Sequence, residues 1–313
     1  MTFKPERVLI VGDHLAEIRD LIAAARPDLT LRMKRLADID AADLDWAQVY
    51  VGFRKPAVDG WGKIRWIHSI GAGVDGLVFR KPLPEGILLT KSGEDFGPAI
   101  AEWCVCRALA VNQRLADLAA DQKNHVWDRS KEPVVLRGQR VVILGTGAVG
   151  SGIARAFRAL GCRVTGVSRT GAPRPDFDLV SKTTDFAAAV RGADWIIVAL
   201  PLTEDSVGFL SSDRLAECDG AYLMNVGRGA VIDEAAIPAA IDHGWIRGAA
   251  LDVFATEPLP ADSALWNHPK VVVSSHISGP STVQATANGF LDSLHSLERG
   301  EPPRTLVNPN SGY

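Results

Sequence analysis

The sequence predicts an α/β protein with two doubly wound parallel sheets, and three observations support this fold class. Short apolar runs alternate with helical stretches along most of the chain, a pattern typical of parallel strands joined by crossover helices. A glycine-rich turn directly follows one of the apolar runs. The length of 313 residues suits about two domains of ~150 residues each.

The composition excludes several classes of protein. Lys and Arg total 34 and Asp and Glu total 37, so the formal net charge is −3, without the basic surplus typical of nucleic-acid binding. Apolar residues at 47% and charged residues at 23% are ordinary for a globular protein. Four cysteines are too few for a disulfide framework, and neither they nor the histidines have metal-ligand spacing. We therefore predict no metal site and no nucleic-acid partner.

The apolar runs are too short for a signal peptide or a membrane span. Residues 8–11 form an apolar run that stops at Gly12, whereas a signal peptide needs about 7–15 apolar residues. The run at residues 195–200 ends at Pro201, well below the roughly 20 residues of a membrane span. We expect a cytoplasmic protein without a membrane partner.

The first part of the chain predicts one parallel sheet followed by a long helix. Strands are predicted at residues 8–12, 29–33, 48–53, 65–70 and 87–90, with a helix at residues 14–26 after the first. Continuous apolar runs are typical of strands that are covered on both faces. A single helix of about 25 residues is then predicted within residues 94–124, and its broad apolar surface indicates burial against more than one partner.

The second part predicts a larger sheet of the same kind. Six apolar strands are predicted at residues 141–144, 163–167, 195–199, 221–225, 248–252 and 270–274. Helices between them are predicted at residues 153–160, 186–190, 212–217 and 234–242. In such a doubly wound sheet, ligands bind beyond the carboxyl ends of the strands, so the residues that follow each strand are the candidates for chemistry.

A glycine motif follows the first of these six strands. It consists of Gly145, Thr146, Gly147, Ala148, Val149 and Gly150, and an amphipathic helix follows it. Glycines at these positions permit a tight turn and let a pyrophosphate approach the backbone at the helix N-terminus. The motif predicts a dinucleotide-binding turn, and the alternative is a glycine-rich turn without a ligand.

The residues after the second strand bear on the choice of dinucleotide. An NAD site usually has Asp or Glu here to bind the ribose 2′-hydroxyl, whereas this chain has Ser168, Arg169 and Thr170. A cationic side chain can accommodate a 2′-phosphate, so we predict that NADP(H) is preferred and that NAD(H) is possible. The alternative is that Arg169 is a solvated loop residue.

Three chemically active residues follow later strands of the same sheet. Arg228 lies between two glycines after the fourth strand, Glu257 follows the fifth, and His276 follows the sixth. A guanidinium offers a planar fork for a carboxylate or carbonyl. A lone histidine is more often structural, but carboxyl ends of parallel strands meet at one sheet edge. The three residues together therefore predict an active site.

The stretches VVILGTGAVGSGIA, NVGRGAVIDEAAI, ALDVFATEPLP and SSHISG resemble the signatures of the D-isomer-specific 2-hydroxyacid dehydrogenases. The ending NPNSGY is similar to that of the glyoxylate/hydroxypyruvate reductase A branch. The resemblance implies reduction of a small 2-oxo acid to the D-2-hydroxy acid, with hydride transfer to C2. It implies that Arg228 binds the substrate carboxylate and carbonyl, that Glu257 pairs with His276, and that His276 is the proton donor.

The resemblance also implies a domain layout and further contacts. A Rossmann cofactor domain (residues 96–286) would be inserted into a flavodoxin-like substrate domain (residues 1–95 and 287–313), and the protein would be a homodimer. Further cofactor contacts would be Pro201, Thr203, Val226, Gly227, Asp252 and Gly279, with Asp252 holding the nicotinamide carboxamide. The substrate carboxylate would be gripped by backbone amides of Gly71, Ala72 and Gly73, for which a plain strand-exit turn is the alternative.

A second function is compatible with the same fold. Related transcriptional corepressors sense a dinucleotide and retain the Arg, Glu and His residues, so a corepressor-like interaction protein is the alternative to an enzyme. The absence of an extended partner-binding arm favours the enzyme, and a turnover assay separates the two. A formate dehydrogenase is disfavoured, because Glu257 stands where that relative is expected to carry Gln.

Overall fold

The computed structural model describes residues 3–308, and within that range its strands form two parallel sheets of five and seven strands. Of the ending NPNSGY, all but Asn308 lies outside the described residues. The chain divides into two units. The first comprises the described parts of Met1–Glu94, Pro201–Glu204 and Ser281–Tyr313, and the second comprises Asp95–Leu200 and Asp205–Pro280. The predicted α/β class with two doubly wound parallel sheets is confirmed.

The strands all run parallel to their neighbours. In chain order they are β1 (Arg7–Val11), β2 (Thr30–Lys34), β3 (Val49–Gly52), β4 (Trp66–Ser69), β5 (Leu88–Lys91), β6 (Arg140–Leu144), β7 (Arg163–Ser168), β8 (Leu179–Lys182), β9 (Trp195–Val198), β10 (Ala221–Asn225), β11 (Ile246–Leu251) and β12 (Val271–Val273).

Most of the helices lie between successive strands, and the last helix follows the last strand. In chain order they are α1 (Ala16–Ala25), α2 (Ala41–Trp46), α3 (Asp75–Val78), α4 (Gly97–Asn112), α5 (Leu115–Lys123), α6 (Ala148–Ala159), α7 (Phe186–Val190), α8 (Ser212–Ala216), α9 (Ile237–Asp242) and α10 (Val283–Glu298). Within residues 3–308, none of them is long and apolar enough to cross a membrane.

The first unit contains a sheet with the strand order β2-β1-β3-β4-β5, which is the flavodoxin-like order. Both faces of β1 are apolar because both are covered. Leu9 and Val11 lie in one core with Leu44 of α2 and Leu77 of α3. Alternate β1 residues lie in the opposite core, against α1 and α10. A strand buried on both faces needs a continuous apolar run, and this is the pattern from which β1 was predicted.

The second unit contains the larger sheet, with the order β12-β11-β10-β9-β6-β7-β8. The strand order reverses between β6 and β9, where Leu144 pairs with Val198. Apolar cores cover both faces. In a sheet of this kind the crevice at the reversal, outside the carboxyl ends of the strands, is the ligand-binding position.

The structure corrects the prediction of six strands in this sheet, because β8 is a seventh strand. β8 is an edge strand with β7 as its neighbour, and none of its four residues is buried. Leu179 is 60% exposed. A half-exposed edge strand does not need an apolar run, so the sequence Leu-Val-Ser-Lys carries little strand signal.

The prediction of one helix of about 25 residues is also wrong, because the segment forms α4 and α5. Arg114 lies between them with φ 55° and ψ 38°, which is the left-handed region. Its Nε donates to Asp117 Oδ2 at 2.8 Å, which stabilises the new start. No residue of α5 is buried within the described part of the chain, so no core packing requires α4 to continue. Helical periodicity does not reveal a break at one residue.

Candidate active site

The glycine motif after β6 has a backbone that leaves no room for side chains at two positions. Gly145 has φ +106°, and a Cβ there would lie 2.6 Å from Ala199 O. A Cβ at Gly150 would lie 1.9 Å from Gly145 O. At Gly147, by contrast, a Cβ would meet no atom of residues 3–308 within 4 Å. The tight turn therefore has open space directly in front of its middle glycine.

The same turn meets the requirements of a pyrophosphate site. Gly147 is the N-cap of α6, a helix of 12 residues, and no side chain within residues 3–308 caps it. The first amides of such a helix point outward, and the helix dipole favours an anion at that end. The open space at Gly147 and these amides fit the diphosphate of a dinucleotide.

The segment after β7 presents a cation and two hydroxyl groups. Ser168 Oγ accepts a hydrogen bond from Gly171 N at 3.1 Å, and Thr170 Oγ1 accepts one from Ala172 N at 3.3 Å. The side chain of Arg169 is 59% exposed, and its Nη1 lies 3.9 Å from a carboxylate oxygen of Asp205. The hydroxyl groups order the loop, which places a guanidinium at the carboxyl end of β7.

Arg228 lies in a turn that the side chain of Asn225 organises. Asn225 is buried, and its Oδ1 accepts a hydrogen bond from Gly227 N while its Nδ2 donates to Arg228 O, both at 3.1 Å. The guanidinium is also held locally, because Arg228 Nη1 donates to Gly227 O at 2.8 Å. The end of β10 therefore sets the position of the arginine.

Both glycines beside Arg228 are in close contact with other backbone segments. A Cβ at Gly227 would lie 2.5 Å from Leu200 O, and one at Gly229 would lie 1.9 Å from the carbonyl carbon of Phe254. Backbone cannot move aside as a flexible side chain can. Glycine at position 229 therefore allows the arginine turn to pack directly against the segment that leads to Glu257.

Glu257 and His276 are joined by a hydrogen bond at the same edge of the sheet. His276 Nδ1 lies 2.9 Å from Glu257 Oε2 and 3.2 Å from Oε1, and Phe254 N donates to Oε1 at 3.0 Å. Burial opposes ionisation of Glu257, but the bonds from His276 and Phe254 and the nearby charge of Arg228 together lower its pKa. Because a carboxylate accepts only, Nδ1 carries a proton and Nε2 is left for chemistry.

The loop that carries His276 is held by a buried carboxylate at the end of β11. Asp252 is fully buried, and it accepts hydrogen bonds from Ser274 Oγ at 2.5 Å, Ile277 N at 3.0 Å and Ser278 N at 2.9 Å. Burial raises the pKa of Asp252, but these bonds outweigh it and lower the pKa overall. His276 N donates to Asp252 O at 2.8 Å. The predicted contact of Asp252 with a nicotinamide stays a prediction.

The loop at Gly71, Ala72 and Gly73 connects β4 to α3 in the first unit. Ser69 Oγ donates to Gly73 O at 2.7 Å, and Ser92 N donates to Gly71 O at 3.3 Å. Within residues 3–308, the backbone N–H groups of Ala72 and Gly73 donate to no hydrogen-bond acceptor. The loop is held through its carbonyl groups, which leaves two amides for an anion.

The remaining predicted contacts are placed as follows. Val226 continues β10, since its N donates to Val198 O at 3.0 Å. Gly279 packs on α4, where a Cβ would lie 3.1 Å from Ile100 Cγ1. Pro201 and Thr203 lie in the segment Pro201–Glu204, which clusters with the first unit. Their contacts with a cofactor stay predictions.

Sequence reasoning missed Glu234. Its Oε1 accepts a hydrogen bond from Ala255 N at 2.6 Å, in the turn between Asp252 and Glu257. The one available signal was an acidic residue soon after Arg228, and surface acids are common at such positions. The contact joins residues 21 positions apart, so local sequence does not reveal it.

Arg228, Glu257 and His276 follow β10, β11 and β12, three adjacent strands of one sheet. A charged imidazole can donate a proton to an oxygen whose negative charge a guanidinium stabilises. The turn at Gly147 in the same sheet is suited to a dinucleotide. This fold and site define an NAD(P)-dependent oxidoreductase.

The comparisons with known proteins place the chain more narrowly. The family model described as D-isomer specific 2-hydroxyacid dehydrogenase, NAD binding domain, matches residues 105–278. The chain belongs to the D-isomer specific 2-hydroxyacid dehydrogenase family. It is 30% identical to the glyoxylate/hydroxypyruvate reductase A of Serratia proteamaculans over 260 residues, covering 80% of this chain and 82% of that one.

Two solved structures have similar folds. One is a D-isomer specific 2-hydroxyacid dehydrogenase from Xanthobacter autotrophicus Py2 in complex with NADPH and MES, with a TM-score of 0.85, 28% identity and coverage of 99% of this chain and 100% of that one. The other is an NADPH-dependent glyoxylate/hydroxypyruvate reductase from Sinorhizobium meliloti in complex with NADP and sulfate. Its TM-score is 0.85 at 26% identity, and the match covers 98% of this chain and 100% of that one.

Proposed function

We propose that this protein reduces a small 2-oxo acid of the glyoxylate or hydroxypyruvate kind to the D-2-hydroxy acid, with NADPH as the preferred reductant. The observation that carries the proposal is the 2.9 Å contact between Glu257 and His276, with Arg228 on the adjacent strand end. The named relatives from Serratia and Sinorhizobium support the substrate class.

The reduced nicotinamide, when bound, supplies the hydride that C2 of the oxo acid accepts. His276 holds the proton that the developing alkoxide takes, so hydride and proton together yield the alcohol. The carboxylate of Glu257 accepts the hydrogen bond of His276 Nδ1 and so orients the imidazole. Arg228 binds the substrate and stabilises the negative charge that grows on the oxygen in the transition state.

The second unit would hold the cofactor. The amides at the start of α6 would bind the diphosphate at Gly147. Arg169 would face the 2′-phosphate, because it is a cation at the carboxyl end of β7 where an NAD site has an acid. The Xanthobacter and Sinorhizobium structures, which contain NADPH and NADP, support this preference.

The first unit would bind the substrate carboxylate. The amides of Ala72 and Gly73 have no acceptor within residues 3–308, and successive outward amides of this kind form a concave anion site. Binding through backbone amides is suited to the carboxylate that every 2-oxo acid has in common, and it leaves the rest of the substrate to other groups.

A cytoplasmic homodimer is the proposed assembly. Trp127 is 92% exposed, and Leu115 and Leu118 of α5 are 54% and 46% exposed. Large apolar side chains gathered in one exposed segment are typical of an interaction surface, and a second copy of the chain would cover them. The mass in solution, from light scattering after gel filtration, tests this assembly.

A turnover assay tests the proposed function. A panel of 2-oxo acids is incubated with NADPH and with NADH while the absorbance of the nicotinamide band is followed. We expect NADPH oxidation with glyoxylate or hydroxypyruvate. Tight cofactor binding without turnover of any 2-oxo acid would contradict the proposal and favour a corepressor-like protein.

Glu257→Gln is expected to change the pH dependence of reduction. The substitution keeps the shape of the side chain but removes the charge that stabilises the protonated His276. Without that charge, the falling limb of kcat should move to lower pH. Glu217→Gln, at an exposed position, is the control. A profile that matches this control would contradict the pairing.

Arg228→Lys is expected to raise KM for the oxo acid and to lower kcat, each by about tenfold. An ammonium is a point charge that does not reproduce the planar two-point contact of a guanidinium. KM for the cofactor should stay close to the wild-type value. Steady-state kinetics with both substrates varied provide the measurement, and wild-type constants would remove Arg228 from the substrate site.

A further inference from the structure

Glu234 is a half-buried carboxylate that has no part in the mechanism above. It begins a 3₁₀ turn, Glu234–Ala236, shortly after the arginine turn. Its Oε1 accepts the Ala255 N–H at 2.6 Å, a short charge-assisted hydrogen bond. Ala255 lies in a different part of the chain, after β11. The bond therefore links two separate segments.

The segment that Glu234 holds is the one that leads to Glu257. Two successive amides of this segment bond to two different carboxylates: Phe254 N donates to Glu257 at 3.0 Å, and Ala255 N donates to Glu234. The close packing of Gly229 against the carbonyl carbon of Phe254 fixes the other side of the segment. Glu234 and Glu257 therefore hold adjacent amides of the same segment.

The two carboxylates also interact through their charges. Burial raises the pKa of Glu234, the Ala255 bond lowers it, and the nearby charge of Glu257 raises it further. Arg228 acts on Glu257 in the opposite sense, since its charge lowers the pKa of that group. Asp252 is a further charged group at the histidine loop, and it is bonded to the loop backbone.

The geometry points to Glu234 as a positioning residue that holds Glu257 against His276 and adds a second negative charge behind that pair. This inference rests on the proposed function, because it assigns a role for the same proton donor. Glu234 touches neither substrate nor cofactor in this role. It acts through Glu257 on the proton that His276 holds.

The hydrogen bond to Ala255 N does not by itself explain why residue 234 carries a carboxylate. An amide side chain of the same length also offers an oxygen to Ala255 N, and it would avoid both the burial of a charge and the repulsion from Glu257. A neutral acceptor would therefore serve a purely structural turn better. The negative charge of Glu234 acts on Glu257, which is the partner of His276.

Three variants separate the charge of Glu234 from its hydrogen bond. Glu234→Gln keeps an acceptor and removes the charge, whereas Glu234→Ala removes both. Asp233→Asn is the matched control, because it removes a negative charge from the adjacent, exposed position. For each variant, kcat and KM for the reduction are measured against pH, together with the Kd for NADPH and the melting temperature.

We expect the falling limb of kcat in Glu234→Gln to move to lower pH by roughly 0.3–1 unit, since a nearby charge interacts over several ångströms in a partly buried site. In Glu234→Ala we expect kcat to fall about tenfold at neutral pH, because the turn loses its acceptor. Asp233→Asn should keep the wild-type profile. The Kd for NADPH should be unchanged in all three.

Two results would overturn the inference. The first is a Glu234→Gln profile that coincides with those of the wild type and Asp233→Asn. The second is a change confined to the melting temperature, which would make Glu234 a structural residue. If the wild type itself reduces no 2-oxo acid, the proposed function fails instead, and the two failures are thereby distinguished.

Discussion

Replacing His276 with Asn is expected to lower kcat for 2-oxo acid reduction by about 10²–10⁴-fold, the usual contribution of a positioned general acid. Asn has no group that can donate a proton to the alkoxide at neutral pH. The Kd for NADPH should remain near the wild-type value, because the imidazole acts on the substrate. Steady-state kinetics and a binding titration measure the two effects separately.

The backbone at this position makes the substitution a clean test. His276 has φ 57°, in the left-handed region that Asn tolerates better than most residues. The chain also contains a matched control, because His125 is exposed and has the same φ of 57°. His125→Asn should leave kcat unchanged. A His276→Asn enzyme that keeps more than about a tenth of the wild-type rate would show that His276 is not the acid.

The second large effect concerns the cofactor. We expect a kcat/KM with NADPH that exceeds that with NADH by roughly 10- to 100-fold, because a guanidinium attracts the 2′-phosphate while solvent screens part of the interaction. Ser168→Asp should shift the preference toward NADH. The introduced carboxylate would repel the phosphate and would offer an acceptor to the ribose hydroxyl groups of NADH.

Ser168→Ala is the control for Ser168→Asp. It shows the effect of losing the serine hydroxyl group without the effect of the added negative charge. Ser168 Oγ accepts a hydrogen bond from Gly171 N, so both substitutions disturb the loop, whereas only Asp adds a negative charge. The alanine variant should therefore keep the NADPH preference. A clear preference of the wild type for NADH would contradict the role proposed for Arg169.

Most strands were predictable because their signal is local. In the second sheet, β10 has the predicted bounds, and β6 and β7 each differ from the prediction by one residue at one end. A strand covered on both faces requires a run of apolar residues. The glycine motif was equally readable, because the turn it forms excludes side chains through contacts with its own neighbourhood, such as Gly150 with Gly145 O.

Other elements left little trace in the sequence. The break at Arg114 lies inside a segment whose composition favours one continuous helix. The edge strand β8 is half-exposed, so it lacks the apolar run that marked its neighbours. In both places the local pattern was compatible with two structures, and packing against the rest of the chain selected one.

The sequence by itself determined the fold class, the family and the identities of Arg228, Glu257 and His276 as candidates, because each depends on residue type and on place after a strand. Only the tertiary structure decided how the proton donor is held. The carboxylate of Asp252 accepts hydrogen bonds from backbone amides about 25 positions further along the chain. Glu234 accepts one from the amide of Ala255, 21 positions away. These bonds require β10, β11 and β12 to lie side by side. Every residue but proline has the same backbone donor, so packing decides which donors a buried carboxylate reaches.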